Sequence, residues 1–74
     1  MKITIEPTDV FDGVSCRVWE GEDDQGTPVH CYISRVAVPT ERCTRDVERR
    51  FADRLKETRA PSPEIRALPL RLLL

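Results

Sequence analysis

The sequence predicts an α+β fold: a small antiparallel sheet of three to four strands, packed on one α-helix and closed by a C-terminal edge strand. Three observations predict it. Two segments alternate apolar and polar residues on either side of a polar stretch, the pattern of a central β-hairpin over residues 14–33. A charged segment then places Cys43, Val47, Phe51 and Leu55 four residues apart, the spacing of one apolar helix stripe. The chain has 74 residues, enough for a single domain spanning 1–74.

The elements follow in order. Ile3-Thr4-Ile5 alternates and is β-prone, so residues 2–6 read as a short strand that Pro7 stops. Asp9, Asp12 and Gly13 then supply turn chemistry. In the first hairpin strand Val14, Cys16 and Val18 share one face, opposite Ser15, Arg17 and Trp19. In the second, Val29, Cys31 and Ile33 share a face, opposite His30 and Tyr32. The connecting stretch from Gly21 to Gly26 reads as a loop too long for a two-residue turn, with a solvated tip. Val36-Ala37-Val38 is apolar but out of phase with the preceding strand, as after a bulge or a strand end.

Pro39 closes that segment. Thr40 is placed to cap a helix over residues 41–59, with Glu41 in its first turn, where negative charge suits the helix dipole. Ala60-Pro61-Ser62-Pro63 breaks the helix. The Leu-rich segment beyond it fits either a strand or a helix capped by Ser62. Pro69 would fall inside that helix at a cost of about 3 kcal/mol, so a C-terminal edge strand over 66–73 is expected. The expected core is Ile3, Ile5, Val14, Cys16, Val18, Val29, Cys31, Ile33, Val47, Phe51, Leu55 and part of the Leu tail.

Composition narrows the function classes. Hydrophobic residues make up 39% of the chain and the formal net charge is −1, which favours a folded domain over a disordered chain. With three glycines, at 13, 21 and 26, there is no Gly-rich phosphate or dinucleotide loop. The Leu72–Leu74 run falls far short of the roughly 20 apolar residues of a membrane span. Met1-Lys2 leads into Ile-Thr-Ile-Glu rather than an apolar leader, and three cysteines make a poor disulfide framework. The expected location is therefore cytoplasmic. A core this small supplies roughly 3–5 kcal/mol, so a partner or a second copy is a natural supplement.

The hairpin and helix together are similar to a known family. Trp19-x-Gly21, Gly26-x-x-Val29-x-Cys31-x-Ile33-Ser34 and the later Phe51-Ala52 step resemble the YrdB-like proteins, a bacterial family of short domains of unknown function. The likeness covers roughly residues 10–70. It implies a β-hairpin, a charged helix and a closing strand. The Val36–Thr40 connection is shorter than is usual in that family, and the Leu-rich end differs. The resemblance implies no catalytic residues.

The chemistry-bearing residues give few sites. Cys16, Cys31, Cys43 and His30 lack any Cys-x2-Cys spacing, and His30 points away from its neighbour Cys31, so the thiols read as small core hydrophobes and neither metal nor cofactor is expected. The same parity argues against a Cys–His nucleophile, so no catalytic residue and no enzymatic activity are expected. Glu20, Glu22, Asp23 and Asp24 form an acidic cluster, read as a solvated hairpin loop, without the ligand spacing of a calcium site.

Residues 40–59 hold seven bases and five acids, which pair in helical order as Glu41–Arg45, Asp46–Arg50 and Arg49–Asp53. Nucleic-acid binding by this helix is the alternative reading. Arg17, Trp19, His30 and Tyr32 are expected on one outer hairpin face, a composition suited to protein contact. The expected function is thus a small non-enzymatic binding or regulatory module. One form is a phage or mobile-element protein that occupies a host protein's basic surface through Glu22, Asp23 and Asp24. A homodimer through the sheet edge or the Leu-rich end is the other expected assembly.

Overall fold

Hairpin chemistry organises the first half of the chain into a three-stranded meander. The computed structural model describes residues 1–13, 15–63 and 73. β1 is Ile3–Asp12, β2 is Cys16–Asp23 and β3 is Pro28–Ile33, antiparallel and in the spatial order β1-β2-β3. Among the described residues there is one helix, α1, spanning Arg45–Arg54. This is the α+β architecture that the alternation and the helical stripe predict. The expected strand at 66–73 and the core position Val14 lie outside the described residues, except for Leu73, which is exposed.

The β2–β3 connection is tighter than expected. Gly26 N–H donates to the Asp23 carbonyl at 3.2 Å, and Asp23 N–H donates to the Thr27 carbonyl at 3.1 Å. Gly26 sits at φ +82°, the left-handed conformation that glycine adopts without strain. Together these make a three-residue loop, a type I turn followed by a left-handed glycine. The Asp23 carboxylate holds the turn by accepting from Gln25 N–H at 2.9 Å and Thr27 N–H at 2.8 Å.

That turn sets a register in which Val18 opposes Tyr32, Trp19 opposes Cys31 and Glu20 opposes His30. Opposed residues share a face, so even-numbered residues of β2 lie with even-numbered residues of β3. The expected core face combined Cys16 and Val18 with Val29, Cys31 and Ile33. The register separates them: Cys16 and Val18 lie on one face, Val29, Cys31 and Ile33 on the other. A one-residue difference in loop length inverts every side chain of a strand relative to its neighbour.

Gly21 lies inside β2 rather than in the loop. A Cβ there would overlap the Thr4 carbonyl of β1, so the two backbones approach closely only because this residue has no side chain. Nor does Pro7 end the first strand. It sits within β1, an edge strand, where a missing N–H is tolerated. Between Pro7, opposite Trp19, and Phe11, opposite Arg17, the register shifts, and Thr8 fills the irregularity. Thr8 is fully buried; its hydroxyl donates to the Val18 carbonyl at 2.7 Å and accepts from Val10 N–H at 3.2 Å.

The helix starts four residues later than expected. Thr44, not Thr40, is its cap, accepting from Val47 N–H at 3.3 Å, and Asp46 and Glu48 occupy the first turn. Residues 40–42 make a separate turn, with Arg42 N–H donating to the Pro39 carbonyl at 3.3 Å. At the other end the hydrogen bonds shorten to the i→i−3 type, Lys56 to Asp53 and Glu57 to Arg54. The chain then leaves the helix because β1 recruits it. Arg59 N–H donates to the Pro7 carbonyl at 2.9 Å, and Arg59 forms a single parallel bridge with Thr8.

The helix stands off the sheet. No Cα of α1 comes within 8 Å of a strand Cα among the described residues, and no α1 residue is buried. Phe51 and Leu55 are half-buried, while Val47 is exposed. Among the described residues the buried set is Thr8, Val18 and Glu20, so one apolar side chain lies beside two polar ones.

Candidate functional site

Two constellations emerge, one on each face of the sheet. On the odd-numbered face, Trp19 and Leu55 together line two recesses left by the loosely seated helix. One, of about 380 Å³, has Pro7, Trp19, Phe51 and Leu55 as walls and Glu6, Arg54, Glu57 and Arg59 as its charged groups. Its charges include the Arg59–Glu6 pair at 3.7 Å. The other, of about 320 Å³, opens between β2, the connection after β3 and the turn after α1, with Phe11, Trp19, Ile33 and Leu55 among its walls. Arg17 is fixed beside it: its guanidinium donates to the Thr8 carbonyl at 3.3 Å and stacks 4.7 Å above the Phe11 ring.

On the opposite face, β2 and β3 bring Glu20 and His30 together. Glu20 Oε2 lies 3.0 Å from His30 Nε2. Ser62, arriving after the chain has passed the β1 edge, donates its N–H to Glu20 Oε1 at 2.7 Å and its hydroxyl to Oε2 at 2.6 Å. Glu20 is only 4% exposed and the His30 side chain 8%, and His30 Nδ1 has no hydrogen-bond partner among the described residues. Burial alone pushes the Glu20 carboxyl up. The Ser62 hydroxyl, the Ser62 N–H and His30 outweigh it, and the carboxyl titrates below its ordinary value.

A serine, a histidine and a carboxylate meet here, yet the carboxylate occupies the middle. In a nucleophilic triad the imidazole takes that place and accepts from the hydroxyl. Here the hydroxyl donates to the carboxylate, so the arrangement ties residue 62 to the sheet.

These positions revise the expected contact patch. Arg17 and Trp19 stay together on the recessed face. His30 and Tyr32 lie on the other face, because the three-residue turn pairs even positions with even. His30 is buried against Glu20 and does not offer an exposed edge; Tyr32 is half-buried beside Val18. Of the expected solvated acidic cluster, Glu20 is instead buried within β2, while Glu22 and Asp24 are exposed and Asp23 spends one carboxylate oxygen on the turn. Hydrogen bonds from Thr27 and Gln25 N–H hold the Asp23 carboxyl below its ordinary value. The Glu20–Ser62 contact has no signal in the sequence, since 42 positions separate the partners.

Cys16 and Cys31 fall on opposite faces and Cys43 precedes the helix cap; all three are free and half-buried. Among the described residues no three His, Cys, Asp or Glu side chains converge as metal ligands. The expected i,i+4 ion pairs of the helix do not close. Among the described residues the ion pairs are Lys56–Asp53 at 3.7 Å and Arg59–Glu6, while the His30–Glu20 contact is a hydrogen bond that becomes an ion pair only with a protonated imidazole. No described helix is long and apolar enough to cross a membrane.

No protein-family model matches the chain, and no curated protein or solved structure matches it. The functional reading therefore rests on the residues themselves.

Proposed function

We propose that the chain is a small non-enzymatic protein-binding module that grips its partner through the Trp19 face. The observation that carries this reading is the incomplete cover of that face. The helix above it buries none of its own residues, and Phe11 (56% exposed) and Val36 stand at the mouth of the second recess. Ile3 and Val47 are exposed as well but line neither recess, so the cluster at Trp19 is Phe11 and Val36. Exposed apolar groups that cluster around an aromatic residue, rather than scatter singly, mark an interaction surface.

The test is affinity capture from the cells that make the protein, with the wild type and two rim variants, Phe11→Asp and Val36→Asp. Both positions are exposed, so the fold should survive. A partner retained by wild type and lost by both variants supports the reading. A partner retained by both, or lost only when Glu22 and Asp24 are changed to Lys, overturns it.

One observation favours a second reading, nucleic-acid binding by α1. Arg45, Arg49 and Arg50 meet no carboxylate within ion-pair distance among the described residues. Binding through them would weaken steeply with salt and vanish in the Arg45→Glu, Arg49→Glu, Arg50→Glu triple variant.

A further inference from the structure

The two recesses beside Trp19 differ in charge. The first carries Glu6 and Glu57 against Arg54 and Arg59, and so is balanced. Among the described residues the second carries Arg17, Arg35 and Lys56 and no carboxylate, in a chain whose formal net charge is −1. Its three cations come from three separate segments: β2, the connection after β3 and the turn after α1. Holding like charges around one mouth costs free energy, which an incoming anion relieves.

We propose that this second recess seats an acidic segment of a partner protein, with one apolar side chain on Trp19 and Leu55 and flanking carboxylates on Arg17, Arg35 and Lys56. The proposal rests on the binding-module reading above and names the chemistry of its partner.

Arg17 is built for the role. It is pinned by the Thr8 carbonyl and the Phe11 ring. One of its five N–H donors is spent there and the rest remain available. A cation already held in place loses little freedom when a carboxylate arrives. Lys56 is free to turn toward the recess, because its pair with Asp53 is long, at 3.7 Å, and both side chains are largely exposed. The floor selects against a bare anion: Phe11, Trp19, Ile33 and Leu55 would stay uncovered by phosphate or acetate. A volume of about 320 Å³ is at the small end for ligand pockets and suits one large side chain.

Trp19 is the sole tryptophan, so its emission reports occupancy directly. The probe is the capped peptide Glu-Asp-Leu-Phe-Asp-Glu. Controls replace its four acids with Lys, or its Leu-Phe with Ser-Ser, and a ten-residue oligothymidine tests the nucleic-acid alternative. The acidic probe should shift Trp19 emission saturably and bind more weakly as salt rises. Its affinity should fall on the order of tenfold or more in the Arg35→Glu, Lys56→Glu double variant, and neither control peptide should match it.

The proposal is overturned if no probe shifts the emission, if acidic and basic peptides bind alike, if the double variant binds as wild type does, or if oligothymidine displaces the acidic peptide. Self-association seen by light scattering and removed by the double variant would put the acidic tip of a second copy in the recess, and would also overturn it. The two readings fail separately. A partner captured through Phe11 and Val36 that ignores the Arg35 and Lys56 reversals overturns the acidic segment alone. Absence of any captured partner, with the acidic probe still binding, overturns the module reading alone.

Discussion

Replacing Ser62 with alanine should destabilise the protein by about 1.5–3 kcal/mol at pH 7, the range for a hydrogen bond made to a charged group. The hydroxyl lies 2.6 Å from Glu20 Oε2, and the carboxylate is only 4% exposed, so water does not replace the lost donor without opening the site. The Ser62 N–H at 2.7 Å and His30 Nε2 at 3.0 Å remain, so one of three contacts is lost and the charge is not stranded. Against a total of roughly 3–5 kcal/mol for a core of this size, that is a large share. The unfolded fraction should rise about ten- to a hundredfold, at a factor of ten per 1.4 kcal/mol. The melting temperature should fall by about 6–24 °C, at 4–8 °C per kcal/mol for a domain this small. Urea and thermal unfolding, followed by Trp19 emission and by far-ultraviolet circular dichroism, measure both. A double-mutant cycle with Glu20→Gln isolates the pair and should give a coupling of about 1 kcal/mol or more. A Ser62→Ala variant within about 0.5 kcal/mol of wild type would refute the argument that Glu20 anchors residue 62.

Three further predictions concern the sheet and its buried polar groups. Because the Glu20 carboxyl is held below its ordinary value when folded, its contribution is present above the unfolded-chain value of about 4.3. It is lost as pH falls through the lower folded value. Urea midpoints should therefore drop more steeply between about pH 5 and 3 for wild type than for Glu20→Gln, and parallel curves would count against the carboxylate's role. Gly21→Ala should cost about 1–3 kcal/mol, because the added methyl overlaps the Thr4 carbonyl; an unchanged urea midpoint would show that β1 and β2 are not so closely apposed. Thr8→Val removes both hydrogen bonds of a fully buried hydroxyl at nearly constant volume and should cost about 1–3 kcal/mol, while Thr8→Ser keeps the donor. A Thr8→Val variant as stable as wild type, beside a destabilised Thr8→Ser, would instead assign Thr8's value to its methyl group.

The fold class was legible because alternation and fourfold spacing are local patterns. Strands near residues 16–20 and 29–33 and a helix through Val47 and Phe51 could be read from them directly. Relative facing was not legible from alternation alone, since the phase between two strands depends on the turn that joins them. The decisive signal was Asp23-Asp24-Gln25-Gly26: an aspartate at the turn's start and a glycine three residues on specify a three-residue loop. Taking Gly21 as the loop's first residue hid that signal and placed Trp19 beside Tyr32 instead of Cys31. The cap falls on Thr44 where Thr40 is expected, and the acids at 46 and 48 suit that later start. Pro7 reads as a terminator only when the strand is taken to be central. The Glu20–His30–Ser62 tie joins residues whose approach depends on the whole path of the chain, so no local pattern announces it.

The route of the chain past the β1 edge has a kinetic consequence. α1 lies over one side of the sheet, the backbone touches Pro7 and Thr8 at Arg59, and three residues later Ser62 is fastened to the other side. The meander needs only nearby turns and can assemble as soon as its strands exist. The far side waits for residue 62, made 42 positions after Glu20. Until residue 62 is in place, Glu20 lacks its two serine donors and only water can take their place. Desolvation of that carboxylate and delivery of its two serine donors belong to one late event, which makes the clasp a natural last step of folding and a natural first step of unfolding.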